Sequence, residues 1–159
     1  MSTSNISEIQ NGLSPNQFCL LTSMGDDSKT NIMALSWWTF VSNSPARLAV
    51  SINSHSCSGE NIKKNKEFAL CMVREGMKEK ALECGKLSGK TINKSDKLGI
   101  KLIDAKAIGP RVIADSSMIL ECRLVNICSV GDHDIFIADI AESYITSDQK
   151  HLFAFEGYS

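Results

Sequence analysis

Two strand-like runs near the end of the chain, Met118–Cys128 and Asp134–Tyr144, flank Gly131-Asp132, and this arrangement limits the possible folds most. A glycine followed by a small polar residue suits a tight hairpin, so the two runs are expected to pair antiparallel. Upstream strand candidates are Gln17–Ser23, Thr30–Val41, Arg47–Ile52 and Phe68–Val73. Gly25-Asp26-Asp27-Ser28 and Asn43-Ser44-Pro45 supply turn chemistry between them. Only short helices fit the remainder: Gly59–Lys66 with Ser58 as N-cap, Met77–Cys84 ending at Gly85, and a turn at Asn93–Leu98. No long crossover helix alternates with the strands. The pattern predicts a mainly β, antiparallel barrel with short helices in its connections rather than a βαβ fold.

The chain reads as one domain over residues 17–159, preceded by a loose polar arm over residues 1–16. With 43% hydrophobic and 22% charged residues and a net charge of −1, nothing advertises nucleic acid or an anionic membrane as a partner. No apolar run approaches the ~20 residues of a membrane span, and Met1-Ser2-Thr3-Ser4-Asn5 is not a signal-peptide start, so the expected location is the cytoplasm. None of the six cysteines forms a C-x-x-C pair, so no metal site is expected and most thiols should be small buried hydrophobes.

Both tryptophans stand side by side in Asn31-Ile32-Met33-Ala34-Leu35-Ser36-Trp37-Trp38. Strand neighbours face opposite ways, so one indole can enter a core while the other lines a surface or site. A segment of small residues ending in a flat side chain suits a planar aromatic ligand. Asn53-Ser54-His55-Ser56-Cys57-Ser58, followed by Asn61, gathers polar side chains before a helix whose first N–H groups are unpaired and favour an anion, a monophosphate above a triphosphate. The same loop also reads as a helix cap that binds nothing. Gly131-Asp132-His133-Asp134 sets a histidine at a hairpin tip beside two carboxylates, where it can donate a proton or hydrogen-bond a ligand, or simply be an exposed turn residue. Gly85-Lys86-Leu87-Ser88-Gly89-Lys90-Thr91 misses a phosphate-binding P-loop by one residue and follows a helix candidate instead of a strand. No Ser/His/Asp constellation can be assembled from spacing.

Taken in order, these segments resemble the flavin reductase-like family of FMN-binding split β-barrels, including flavoredoxin-type members. The residues carrying the resemblance are Leu20-Leu21-Thr22-Ser23, Asn31 through Trp38, Val41-Ser42 with Pro45, and Leu48-Ala49-Val50-Ser51-Ile52. Asn61-Ile62, Glu67-Phe68, Ser88-Gly89, Asp96-Lys97, Glu121-Cys122 and Gly131-Asp132-His133 before Ile135-Phe136-Ile137 complete the set. The resemblance implies a homodimer holding one FMN per subunit near the interface. It implies that Asn31, Met33, Ala34 and Ser36 border the flavin and that Trp37 lies by its ring. Ser51, the loop carrying Ser54, His55, Ser56 and Ser58, and nearby Asn61 would receive ribityl and phosphate groups. Lys97 would approach the flavin or phosphate, and His133 would face the isoalloxazine. Cys84 resembles a cysteine near the flavin in some members, which makes it, with His133, a candidate for the chemistry.

The implied activity is that of an FMN-dependent oxidoreductase taking hydride from NADH or NADPH and passing electrons to free flavin, ferric iron or a partner protein. An FMN-bound electron carrier without its own nicotinamide site is the alternative. A barrel that binds another planar ligand, or serves only as an interaction module, is a third reading.

Overall fold

A computed structural model describes Ile6, Gln10, Leu13, residues 15–148 and residues 150–154. Most of the expected arm over residues 1–16 lies outside the described residues. The strands are β1 (Asn16–Gln17), β2 (Cys19–Met24), β3 (Thr30–Leu35), β4 (Trp38–Asn43), β5 (Ala46–Asn53), β6 (Glu67–Val73), β7 (Leu102–Ile103), β8 (Val112–Ile113), β9 (Ser116–Val130), β10 (His133–Ile145) and β11 (Phe153–Ala154). The helices are α1 (Cys57–Asn65), α2 (Lys78–Lys86), preceded by a 3-10 turn at Glu75–Met77, and α3 (Lys94–Leu98). The main sheet runs β3-β2-β6-β9-β10-β5-β4 with every neighbouring pair antiparallel. Two small ladders, β1–β11 and β7–β8, flank it. No helix among the described residues is long and apolar enough to cross a membrane.

The single strand expected over Thr30–Val41 is two strands at opposite edges of the sheet. Three Cα steps from Leu35 to Trp38 reach about 11 Å at most, whereas the outer members of seven flat strands would stand about 28 Å apart. The sheet must therefore curl until its edges approach, giving a mainly β barrel split between β3 and β4. Ser36 and Trp37 make the crossing, and the Trp37 carbonyl already accepts from the Ser51 amide of β5 at 2.9 Å.

Curling gives the sheet two apolar faces. Inside pack Leu21, Leu48, Val50, Ile52, Phe68, Leu70 and Phe136, all fully buried, with Ile62 of α1. Outside, Leu20, Ile32, Ala69, Cys71 and Ile119 pack with Ala81 and Cys84 of α2 and with Ile100, Val112 and Ile113. β2 and β6 are thus buried on both faces; β6 is apolar from Phe68 to Val73, and β2 adds the buried polar pair Thr22 and Ser23 to its apolar Cys19–Leu21. Each large side chain removed from water contributes about 1.5–3 kcal/mol. Cys19, Cys71, Cys84 and Cys122 are buried, Cys57 is half-buried and Cys128 is exposed.

Local signals shift by small amounts. The N-cap of α1 is Ser56, whose hydroxyl accepts from the Gly59 amide at 3.0 Å, and not Ser58, which is buried. Gly85 lies inside α2 and is not its cap; a Cβ there would sit 3.6 Å from that of Ala34, so the small residue lets α2 approach β3. The β9–β10 turn forms as expected, with Gly131 at φ 58°.

Glu121 of β9, fully buried, holds the loop after β7 onto the sheet. It accepts from the Lys106 amide at 2.8 Å, the Ala107 amide at 2.6 Å and the Tyr144 hydroxyl at 2.9 Å. Asp134 ties β10 to α1: Ser129 donates to it at 2.6 Å and the Lys63 ammonium stands 2.6 Å away. Those hydrogen bonds, that from Lys63 first, hold its carboxyl below the usual aspartate range. A carboxylate depressed on folding stabilises the native state above its unfolded pKa, and the gain is lost as pH falls through the folded one. The melting-temperature deficit of Asp134→Asn should therefore be largest near neutrality and shrink in acid. A deficit that does not change with pH would rule out this ion pair as its source.

Candidate functional site

Among the described residues the edge strand β3 pairs with β2 alone, so N–H and C=O groups on its other side lack a strand partner there. At one end of this edge lies a cavity of about 270 Å³ bordered by Thr30, Asn31, Cys57, Asn61, Lys29, Asp27 and the 89–94 loop. At the other end stand Trp37 and His133, ring centroids 5.0 Å apart and tilted by 36°. Six residues of extended chain, about 20 Å, separate Asn31 from Trp37.

The polar end is assembled by side-chain hydrogen bonds across elements. Asn31 donates to Ser58 at 2.8 Å, and Asn61 donates to Ser23 at 3.2 Å. Gly89 lies so close above Asn31 that a Cβ would stand 1.9 Å from its Oδ1. Lys29 and Lys90 are paired with Asp27 at 3.4 Å and Glu60 at 2.8 Å. Lys94 differs from both. It is 6% exposed, its ammonium donates to the Cys84 carbonyl at 2.9 Å, and among the described residues no carboxylate pairs with it. Burial pulls its pKa below that of an ordinary lysine.

The flat end is held by the β9–β10 turn. His133 Nδ1 is 2.7 Å from Asp132, and that hydrogen bond holds the Asp132 carboxyl below its usual range. Ser54 donates both its amide, at 3.1 Å, and its hydroxyl, at 2.8 Å, to the Asp132 carbonyl, tying the loop before α1 to the turn. Asp134, the second carboxylate beside His133, faces away towards Lys63. Ser51 is half-buried in β5 beside Trp37.

The expected residues fall into three sets. Asn31, Ser58 and Asn61 meet at the polar end; Trp37, His133, Ser51 and Ser54 gather at the flat end. Met33, Ala34 and Ser36 lie along the edge between, but Met33 packs against the inner core and Ala34 against the outer one, so their backbone, more than their side chains, faces the gap. The rest stand apart. Ser56 caps α1, and His55 is exposed with its amide donating to Asn53 at 3.0 Å. Lys97 is exposed on α3 and does not line the cavity; Lys94 does. Cys84 is buried in the outer core, its thiol pushed up to about 11 chiefly by desolvation, so it is protonated at neutral pH and unsuited to act as a thiolate. Lys94 escaped the sequence reading because two lysines three apart share a helix face; the Asn93 cap, accepting from the Asp96 amide at 3.3 Å, fixes how the turn enters.

A larger cavity, about 450 Å³, is lined by Phe18, Ala81, Leu82, Phe153 and neighbours and contains none of the expected residues. Polar lining, not size, singles out the smaller one. Among the described residues no three of His, Cys, Asp and Glu converge as a metal site would require.

The flavin reductase like domain matches residues 12–159. An uncharacterized protein of Archaeoglobus fulgidus is 31% identical over 112 residues, which are 70% of this chain and 63% of that protein. The chain thus spans less than two thirds of that relative's length. A flavin reductase of Pseudomonas putida is 25% identical over 146 residues, 92% of this chain and 82% of that one. Among solved structures, flavoredoxin from Methanosarcina acetivorans superposes with a TM-score of 0.81 at 25% identity, covering 96% of this chain and 77% of its own.

Proposed function

The chain belongs to the flavin reductase-like family, and from that premise we propose that it is an FMN-dependent oxidoreductase that takes hydride from NADH or NADPH. The observation that carries this reading is the unpaired β3 edge running from a lysine-lined polar cavity to the Trp37–His133 pair. A long ligand that is charged at one end and flat at the other fits that edge. FMN, when bound, supplies hydride acceptance and onward electron transfer, chemistry that no side chain here offers.

The chain's own part is to bind and orient. Asn31 and Asn61 present amides to the ribityl and phosphate end. Backbone groups of β3 from Asn31 to Leu35 meet the polar rim of the ring, and Trp37 closes one side. With Nδ1 of His133 engaged by Asp132, Nε2 is the nitrogen left to exchange a proton with a ligand. Phe40 and Val41, 55% and 50% exposed on edge strand β4 close to Trp37, suit coverage by a second copy of the chain. On this reading the protein is a homodimer.

A second reading is an FMN-bound electron carrier reduced by another protein, favoured by the similarity to a flavoredoxin. One experiment separates the two. FMN-loaded protein is mixed anaerobically with NADH or NADPH, after its mass in solution has been measured. Rapid bleaching of the yellow colour by a nicotinamide is expected. Bleaching by a partner reductase alone would establish the carrier, and no gain of flavin absorbance on incubation with FMN would sink both readings.

A further inference from the structure

We propose that the larger cavity, between α2 and the β1–β11 ladder, is a second binding site and that it takes a small aromatic carboxylate. It shares no lining residue with the polar cavity, and none of its lining residues comes from β3, so it stands whether or not the flavin reading does.

The floor belongs to the outer core. Phe18, Ala81 and Ala154 are buried there, and Leu152 packs against them. The far wall is pinned to the main sheet: the Leu152 amide donates to the Val73 carbonyl at 3.0 Å, and His151 bridges antiparallel to Arg74. The cavity measures about 450 Å³, inside the roughly 300–1,000 Å³ of small-molecule sites. Walls held in this way need little ordering when a ligand enters. Part of the wall is an open aromatic surface. Phe153 is 45% exposed, and its ring meets that of His151 at 4.9 Å with a tilt of 36°. A flat aromatic body can join such a pair at favourable ring angles and freezes few rotors, advantages that a flexible alkyl chain lacks.

The rim sets the charge. Two exposed ammoniums, Lys78 of α2 and Lys150, border the cavity with a single carboxylate, that of Glu75. Among the described residues neither lysine is paired with an acid. Neither the turn at Glu75–Met77 nor α2 has a side-chain cap at its start, so helix-end potential adds the same sign beside Lys78. An apolar floor would desolvate a wholly polar anion, and a cationic rim offers an uncharged hydrocarbon nothing. One acid group on an aromatic body uses both.

The test is calorimetric titration of the full chain with 1-naphthoate, its uncharged counterpart 1-naphthalenemethanol and its cationic counterpart 1-naphthylmethylammonium, with and without FMN. Wild type should bind one naphthoate per chain, about 10-fold more tightly than the alcohol, with the ammonium weakest. Added salt should erode the preference for naphthoate over the alcohol, a result that does not depend on any variant folding. The double variant Lys78→Glu, Lys150→Glu changes only exposed side chains; it should bind the ammonium best and leave affinity for the alcohol in place. Leu82→Trp, which fills the cavity from α2, should abolish binding of all three. Saturating FMN should change none of these affinities. Failure of wild type to bind one naphthoate, an order unchanged by charge reversal, or full binding by Leu82→Trp would overturn the site. The alcohol bound as tightly as naphthoate would overturn its charge selectivity, and decanoate bound more tightly than naphthoate would overturn the aromatic body. Competition by FMN would overturn its independence from the β3 edge.

Discussion

Replacing Glu121 by alanine should destabilise the protein by about 3–5 kcal/mol, because three donors lose a buried acceptor at once. The carboxylate is fully buried and serves the amides of Lys106 and Ala107 and the Tyr144 hydroxyl. Burial, followed by the hydrogen bond to Glu121, keeps the Tyr144 phenol protonated well above the usual range, so it acts as a donor at any ordinary pH. Water entering the space could serve some of these groups, which sets the lower end of the range. Against a typical total of about 5–15 kcal/mol the loss is a large fraction. Glu121→Gln keeps the volume but offers one acceptor oxygen in place of two, and should cost about 1–3 kcal/mol. The consequence reaches the candidate site. The loop that Glu121 fixes leads to Arg111, whose amide donates to Thr30 at 3.0 Å, and Thr30 borders the polar cavity. Urea unfolding of both variants gives the values directly. A loss below about 1 kcal/mol for the alanine variant would mean that the loop holds by other contacts.

The β architecture was legible because its signals are local. Gly131-Asp132 reads as a hairpin in any context, and the both-face burial of β6 leaves an apolar run, Phe68–Val73, that no amphipathic helix would carry. The break between β3 and β4 was not legible. Strand-favouring residues continue from Thr30 through Val41, and only closure of a barrel from distant strands forces Ser36 and Trp37 out of the ladder. The α1 cap shows the same limit on a smaller scale. Ser54, Ser56 and Ser58 are chemically equivalent in sequence, and Ser56 caps because β5 ends at Asn53 and the turn delivers it there. Resemblance put Asn31, Trp37 and His133 around one flavin; in the structure Asn31 lies at one end of β3, and Trp37 with His133 stands past the other. It pointed to Lys97, whereas Lys94 is the one that lines the cavity, because which of two lysines on one turn is buried depends on how α3 docks. Composition alone could not reveal that Cys84 sits behind Ala34 in a desolvated core.

Gly89→Ala should weaken FMN binding by about 100-fold while leaving the fold intact. A Cβ at this position would lie 1.9 Å from Oδ1 and 2.7 Å from Cγ of Asn31, distances that no relaxed structure tolerates. One of two things must give. If Asn31 rotates, its 2.8 Å bond to Ser58 is broken, and the Ser58 hydroxyl, buried beneath the first turn of α1, loses its donor. If instead the 88–93 loop lifts, Lys90 and Lys94 move away from Asn31 and Asn61 and the cavity loses its charged wall. Either route forfeits about 2–3 kcal/mol of polar contact, from which the expected fall in affinity follows. The loop is a surface connection between α2 and α3, so the melting temperature of the flavin-free protein should change little. Gly76→Ala is the matched control, since nothing lies within 4 Å of a Cβ there. Fluorescence titration of both variants with FMN should show the control at wild-type affinity and Gly89→Ala far weaker. If Gly89→Ala binds FMN as the control does, the cavity beneath Gly89 is not where the phosphate end of the flavin rests.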